Sequence, residues 1–187
     1  FVCLLSFTVR AQQGTFRFAQ LTDIHLSPNN PNPTEDLLRS IAQINATDSL
    51  DFVLVTGDLT EEGDRATMEK VKSCLDLLKV KYYVALGNHE TKWSDSGCTA
   101  FGEIFGGERF DFEHKGFLFL GFNSGPLMRM AYGHVVPQDI RWMTERMSRY
   151  NTGNPRKNNP VILVTHYPMT EGDVDNWYEV TDAVRPY

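Results

Sequence analysis

Tyr82-Tyr83-Val84-Ala85-Leu86-Gly87-Asn88-His89-Glu90 decides the reading of this chain: a β-type run that stops at a glycine and is followed at once by an amide, an imidazole and a carboxylate. The same arrangement occurs three more times. Phe16 to Leu21 alternates as a strand does and leads into Asp23 and His25. Phe52-Val53-Leu54-Val55, an unbroken apolar run of the kind buried on both faces, leads into Gly57-Asp58. Val161-Ile162-Leu163-Val164 leads into Thr165-His166-Tyr167-Pro168. Carboxyl ends of parallel strands gather at one edge of a sheet, where open α/β folds place their ligands. Taken singly the blocks have plain alternatives, since Asp caps helices and Gly-Asp marks ordinary turns; their order and their common position after strands set them apart.

Helical spacing fills the intervals. Leu37, Leu38, Ile41 and Ile44 share one face of a helix whose expected cap is Thr34. Met68, Val71, Cys74, Leu75 and Leu78 mark the buried side of a second helix beginning near Asp64. Phe110 to Phe112 and Phe117 to Phe122, joined across His114-Lys115-Gly116, read as a hairpin, and Pro137 opens a helix carrying Ile140, Trp142, Met143 and Met147. A last helix is expected over 173–184. The alternation predicts an α/β fold, a layered sandwich around a largely parallel sheet with one antiparallel hairpin. A Rossmann-type nucleotide binder would need Gly-x-Gly-x-x-Gly after its first strand, which this chain lacks.

At 187 residues, 41% hydrophobic and 22% charged, the chain suits one folded domain, and its net charge of −6 with no Lys/Arg cluster argues against a dedicated nucleic-acid surface. Phe1 to Phe7 is a short apolar run followed by Val9 and Ala11 in the spacing of a small-residue cleavage site. Residues 1–11 are therefore expected to be the remnant of a secretory signal peptide, with a secreted or periplasmic protein as the consequence; a buried first strand, and a cytoplasmic protein, is the alternative. The run is far short of the roughly 20 residues that span a bilayer, so no transmembrane span is expected in the mature chain. Cys3 would leave with the leader, and Cys74 and Cys98 alone make no disulfide framework.

Carboxylate, imidazole and amide oxygen together suit Mn, Fe, Zn or Co better than Ca or a Cys-bound structural zinc. The ordered blocks resemble the calcineurin-like metallophosphoesterase superfamily, whose pattern runs Asp-x-His, Gly-Asp, Gly-Asn-His-(Asp/Glu), His and finally Gly-His-x-His. The resemblance covers about residues 16 to 187, and 12–187 is expected to be an incomplete catalytic domain whose C-terminal part, with the closing His pair, lies past Tyr187. It implies a layered αββα sandwich of mostly parallel sheets with an added hairpin, and two transition-metal ions, divalent or trivalent: Asp23 and His25 would hold one, Asn88 and His166 the other, and Asp58 would bridge them. His89 would be catalytic rather than a ligand, beside the leaving group, and Glu90 would either orient that imidazole or satisfy a helix terminus. His114 and His134 are read as surface or structural, Asn123 and Ser124 as approaching the pocket from a strand end, and Tyr167 as a buried aromatic, with lining of the pocket as its alternative.

The stretch Gly57 to Gly63 looks like the class III cyclic-nucleotide phosphodiesterase branch. It departs from the protein phosphatases, which carry Asp-Arg-Gly at its end, and from purple acid phosphatases, which need Tyr where Glu61 stands. The implied function is hydrolysis of a small-molecule phosphoester, a phosphodiester or phosphomonoester, by metal-activated water. A non-catalytic binding module that kept the fold, attached to a further domain downstream, is the alternative.

Overall fold

All five residues of β2 (Phe52–Thr56) are buried, as an unbroken apolar run between two covered faces requires. In the computed structural model, which describes residues 15–128, 130–152 and 160–187, β2 is the middle strand of a parallel sheet between β1 (Phe18–Leu21) and β3 (Lys81–Ala85). Leu21, Val55 and Val84 lie abreast in its register. The chain therefore leaves all three strands at the same edge, carrying the first three sequence blocks with it.

A second sheet holds the hairpin β4 (Phe110–His114) and β5 (Phe117–Gly121), with β6 (Val161–Val164) parallel to β5. Lys115 and Gly116, both at positive φ (47° and 86°), form the two-residue turn that matches strand twist. The sheets meet face to face. Phe52, Leu54 and Ala85 pack on Phe119 and Val164, and Tyr83 stacks on Phe112 with ring centroids 3.7 Å apart.

Val53 and Val55, pointing the other way, join Leu37 and Ile41 of α1 (Asn32–Ala46), Met68 and Val71 of α2 (Arg65–Leu75) and Phe101 of α3 (Thr99–Phe105). Beyond the second sheet, Leu118, Leu120 and Phe122 pack against Met143 and Met147 of α4 (Pro137–Thr152) and Val180 of α5 (Trp177–Val184). The four layers run helix, sheet, sheet, helix, the αββα sandwich that the family resemblance implies.

Two helix starts differ from the sequence reading. Asp64 caps α2 as expected, accepting from Thr67 N at 2.9 Å. Thr34, however, lies inside α1: the helix begins at Asn32 after Pro31, with Pro33 in its first turn, where a missing N–H costs nothing. Helix α5 starts at Trp177 rather than Asp173. The intervening residues are engaged elsewhere, Asp173 O accepting from Gly133 N at 2.8 Å and the Asn176 side chain pairing with both backbone groups of Val135. The expected leader, 1–11, lies outside the described residues. No helix among the described residues is long and apolar enough to cross a membrane.

At the opposite edge from the sequence blocks, Asp51 ties the two sheets together. Its carboxylate accepts from Lys115 Nζ at 2.7 Å, from Arg17 N at 2.9 Å and lies 2.9 Å from His114 Nε2. The Lys115 hydrogen bond, then the Arg17 amide and His114, outweigh burial and hold the carboxyl down to about 2. A carboxyl depressed in the folded state contributes stability only while it stays charged. Asp51→Asn is thus expected to melt earlier than wild type near neutral pH, the deficit closing as pH falls below the ordinary 3.8 towards about 2. Thermal melts across that range would read it; a deficit constant through the acid range would contradict the assignment.

Candidate metal centre

The turns after β1 and β2 run side by side, with Asp23 N donating to Gly57 O (3.1 Å), His25 N to Asp58 O (3.0 Å) and Leu26 N to Leu59 O (3.0 Å). Asp23, His25 and Asp58 all adopt left-handed backbone, at φ 53°, 49° and 51°. That conformation costs an L-residue about 1–2 kcal/mol, and such residues gather at ligand sites. Gly87 must be glycine, because a Cβ there would stand 2.1 Å from Asp58 Oδ1 and 2.2 Å from Asp58 N. Gly57, at φ 94°, is pressed equally hard, with a Cβ falling 2.7 Å from Gly87 Cα and 2.9 Å from His166 Cβ. The glycines let the ends of β2, β3 and β6 touch.

Asp58, 4% exposed, is the hub. Its Oδ2 lies 3.7 Å from His25 Nε2, 3.9 Å from His89 Nε2 and 3.3 Å from His166 Nε2, while Oδ1 accepts from His89 N at 3.1 Å. Asp23 Oδ1 is 3.8 Å from His25 Nε2, and Asn88 Oδ1 is 3.2 Å from His166 Nε2. Ligand atoms of His25, Asp58 and His89 lie within 4.8 Å of one another, and so do those of Asp23, Asp58 and His166. Asp58 is common to both groups. The five expected ligands are brought together, but the two groups do not divide as the expected pairs do: Asp23 falls with His166, and His25 with His89, whose ring stands edge-on to it at 4.6 Å.

The donor set fits a cation. His166 Nδ1 lies 2.8 Å from Thr56 O, a carbonyl that can only accept, so the ring proton belongs there and Nε2 turns its lone pair towards Asn88 Oδ1 and Asp58 Oδ2. Converging lone pairs need a positive charge between them. A proton on His166 Nε2 can meet that need in place of a cation, and the titration of both partners shows the pull towards it. Burial pushes Asp58 up, but hydrogen bonds from His166 and the His89 amide, with the charge of both imidazoles, hold it below the ordinary 3.8. Burial pushes His166 down, and the Asp58 carboxylate overrides it to raise the imidazole above 6.5.

Glu90 corrects one expectation. Fully buried, it makes no hydrogen bond to the His89 ring; it does satisfy an amide at the start of its own turn, that of Gly87, and reaches beyond it to a second turn. Its Oε1 accepts from Leu59 N (2.9 Å) and Thr60 N (3.1 Å) and its Oε2 from Gly87 N (3.0 Å), joining the turn after β2 to the turn after β3. Burial lifts its carboxyl above 4.5 against those amides. The residue that does hold His89 is Glu61, whose backbone oxygen lies 2.5 Å from His89 Nδ1. The Glu61 carboxylate also comes 2.9 Å from His25 Nδ1, off the line of a hydrogen bond. Sequence reasoning used Glu61 only to compare branches; an acid three residues beyond the hub Asp58 was the signal available.

Other expectations fall outside the cluster. His114 pairs with Asp51, and His134 Nδ1 lies 2.8 Å from Asp175 Oδ1. Asn123 and Ser124 are buried and fix loops, Asn123 Oδ1 accepting from Gly125 N and Ser124 Oγ from Tyr167 N, both at 2.9 Å. Tyr167 stacks on His166 with centroids 5.4 Å apart.

Known proteins resemble this chain in sequence and in fold. A 3′,5′-cyclic-nucleotide phosphodiesterase of Nostoc is 25% identical over 157 residues, covering 80% of this chain and 56% of its own length. The YvnB protein of Bacillus subtilis is 25% identical over 118 residues, 54% of this chain and 9% of that protein. A purple acid phosphatase from yellow lupin superposes with a TM-score of 0.49 at 16% identity, over 86% of this chain and 32% of that one. The chain thus spans about half, or much less, of the length of these proteins. The calcineurin-like phosphoesterase profile matches residues 16–186, and the chain belongs to that family.

Proposed function

We propose that this chain hydrolyses phosphoester bonds at a dinuclear metal centre, and the observation that carries the reading is Asp58, one buried carboxylate shared by two ligand groups. Asp23 and His25 would hold one ion, Asn88 and His166 the other, with Asp58 between them, and the mixed oxygen and nitrogen donors suit Mn, Fe, Zn or Co. When bound, such a pair supplies Lewis acidity and a hydroxide near neutral pH. The remaining work falls to the chain. Glu61 O accepts from His89 Nδ1 and fixes the ring; in the imidazolium form Nε2, on the side facing Asp58, carries a second proton, which it would donate to the departing oxygen, leaving the neutral ring with its proton on Nδ1. The cyclic-nucleotide phosphodiesterase among its relatives supports a phosphodiester as substrate, and the apolar run at 1–7 supports a secreted or periplasmic setting.

The test is turnover of bis(p-nitrophenyl) phosphate and p-nitrophenyl phosphate by the full-length protein with manganese. Activity should vanish on chelation, return on adding metal, and accompany two ions per chain. Turnover indifferent to chelator would overturn the metal assignment. Metal binding without turnover on any phosphoester would favour the non-catalytic binding module.

A further inference from the structure

We infer that Trp93 is a specificity-determining residue: an aromatic platform at the mouth of the metal centre that stacks on a planar ring carried by the leaving group of the substrate. The inference rests on the phosphoesterase reading and adds a substrate class to it, phosphoesters bearing a nucleobase or an aryl group.

Trp93 ends a single five-residue π-turn, His89–Trp93, that begins at the imidazole assigned to the leaving group. Wide turns of this kind are rare and frequent at functional sites. The turn is fixed from beneath. Glu90 and Thr91 are buried, and Gly63 lies against both its ends, where a Cβ would meet His89 O at 2.4 Å and Ser94 N at 2.8 Å. From this rigid base the Trp93 side chain emerges 57% exposed, its ring centroid 6.3 Å from that of His89. Lys92 Nζ lies 5.4 Å from the indole centroid, a cation–π contact that holds the ring.

A single exposed aromatic is ordinary on a protein surface. What distinguishes Trp93 is its neighbour. Trp142 and Trp177, the other two tryptophans, pack against the core under the second sheet, whereas Trp93 stands beside the proposed proton donor, uncovered. An indole 6.3 Å from the imidazole assigned to the departing oxygen is within reach of whatever that oxygen carries. A planar group gains from stacking there and a flexible alkyl alcohol does not.

The experiment uses the full-length, manganese-loaded protein with Trp93→Ala and Trp93→Phe. Trp93→Ala is expected to raise KM for 3′,5′-cyclic AMP and for bis(p-nitrophenyl) phosphate by about 5- to 100-fold, the range of one lost stacking contact. KM for glycerophosphoethanolamine, which has no ring, should stay put, and Trp93→Phe should restore most of the loss. Binding gives an independent readout: AMP should change the tryptophan fluorescence of wild type but not of Trp93→Phe, and glycerol phosphate should change neither. A response to the aryl ester without one to the nucleotides would assign the platform to aryl groups. Equal shifts in KM for ringed and ringless substrates, or identical fluorescence responses to AMP and glycerol phosphate, would overturn the inference. If wild type turns over no phosphoester with metal present, the phosphoesterase reading fails, and the fluorescence comparison still decides whether Trp93 stacks.

Discussion

Replacing His89 with alanine is expected to lower kcat by about 10²–10⁴-fold on a diester with an alkyl leaving group, while metal content and melting temperature change little. The size follows from the role. An alkoxide is a poor leaving group and needs a proton in the transition state, and His89 Nε2, with the ring anchored through Nδ1 on Glu61 O, is the group placed to give it. A p-nitrophenolate leaves without a proton, so the loss on bis(p-nitrophenyl) phosphate should be smaller. That contrast between leaving groups is the signature of an acid. The geometry also offers a competing role, because His89 Nε2 is within 4.8 Å of the ligand atoms of His25 and Asp58 and could serve as a third ligand there. The two roles part on metal analysis. An alanine variant that binds one ion fewer, and loses activity equally on both leaving groups, would make His89 a ligand and overturn the assignment to proton transfer.

Much of this site was legible in the sequence because each ligand follows a strand directly. A run such as Phe52 to Val55 can be read from its apolarity, and once β1, β2 and β3 are parallel and in register, Asp23, Asp58 and Asn88 must emerge at one edge. His166 arrives at the same point from the other sheet, and that was not legible: nothing in Val161 to Val164 says whether β6 joins β3 or, as found, β5. Local signals also failed where tertiary partners won. Asp173 to Asn176 has helical character but spends its polar groups on Gly133 and Val135, so α5 begins late. Glu61 and Glu90 were misweighted for one reason. Their contacts join turns about 30 residues apart, between Glu61 and His89 and between Glu90 and Leu59 or Thr60, and spacing along the chain is silent about them.

Glu90→Ala is expected to be among the most destabilising single substitutions in the chain, although Glu90 touches no proposed ligand side chain. Removing the carboxylate strips the acceptor from three buried backbone amides, those of Leu59, Thr60 and Gly87. At about 1–2 kcal/mol for each unsatisfied donor, the lower part of the usual range because water can enter the space the side chain vacates, the loss is roughly 3–6 kcal/mol. Against a total stability of about 5–15 kcal/mol, that should lower the melting temperature by roughly 10–20 °C. Glu90→Gln separates acceptor from charge. Its one oxygen can serve the Leu59 and Thr60 amides, its NH2 group would then face Gly87 N, and neutrality relieves the burial that lifts the native carboxyl, so the expected cost is about 1–3 kcal/mol, smaller than for alanine. Gly87 and Asp58 stand on the two turns that Glu90 joins, in contact too close for a Cβ. Manganese affinity should therefore fall in the same order, alanine below glutamine below wild type, when measured at a temperature where all three are folded. An alanine variant that melts with wild type but loses kcat would assign Glu90 to orienting the His89 ring instead. The hydrogen bonds point the other way: the carboxylate holds the turns, and the turns hold the ligands.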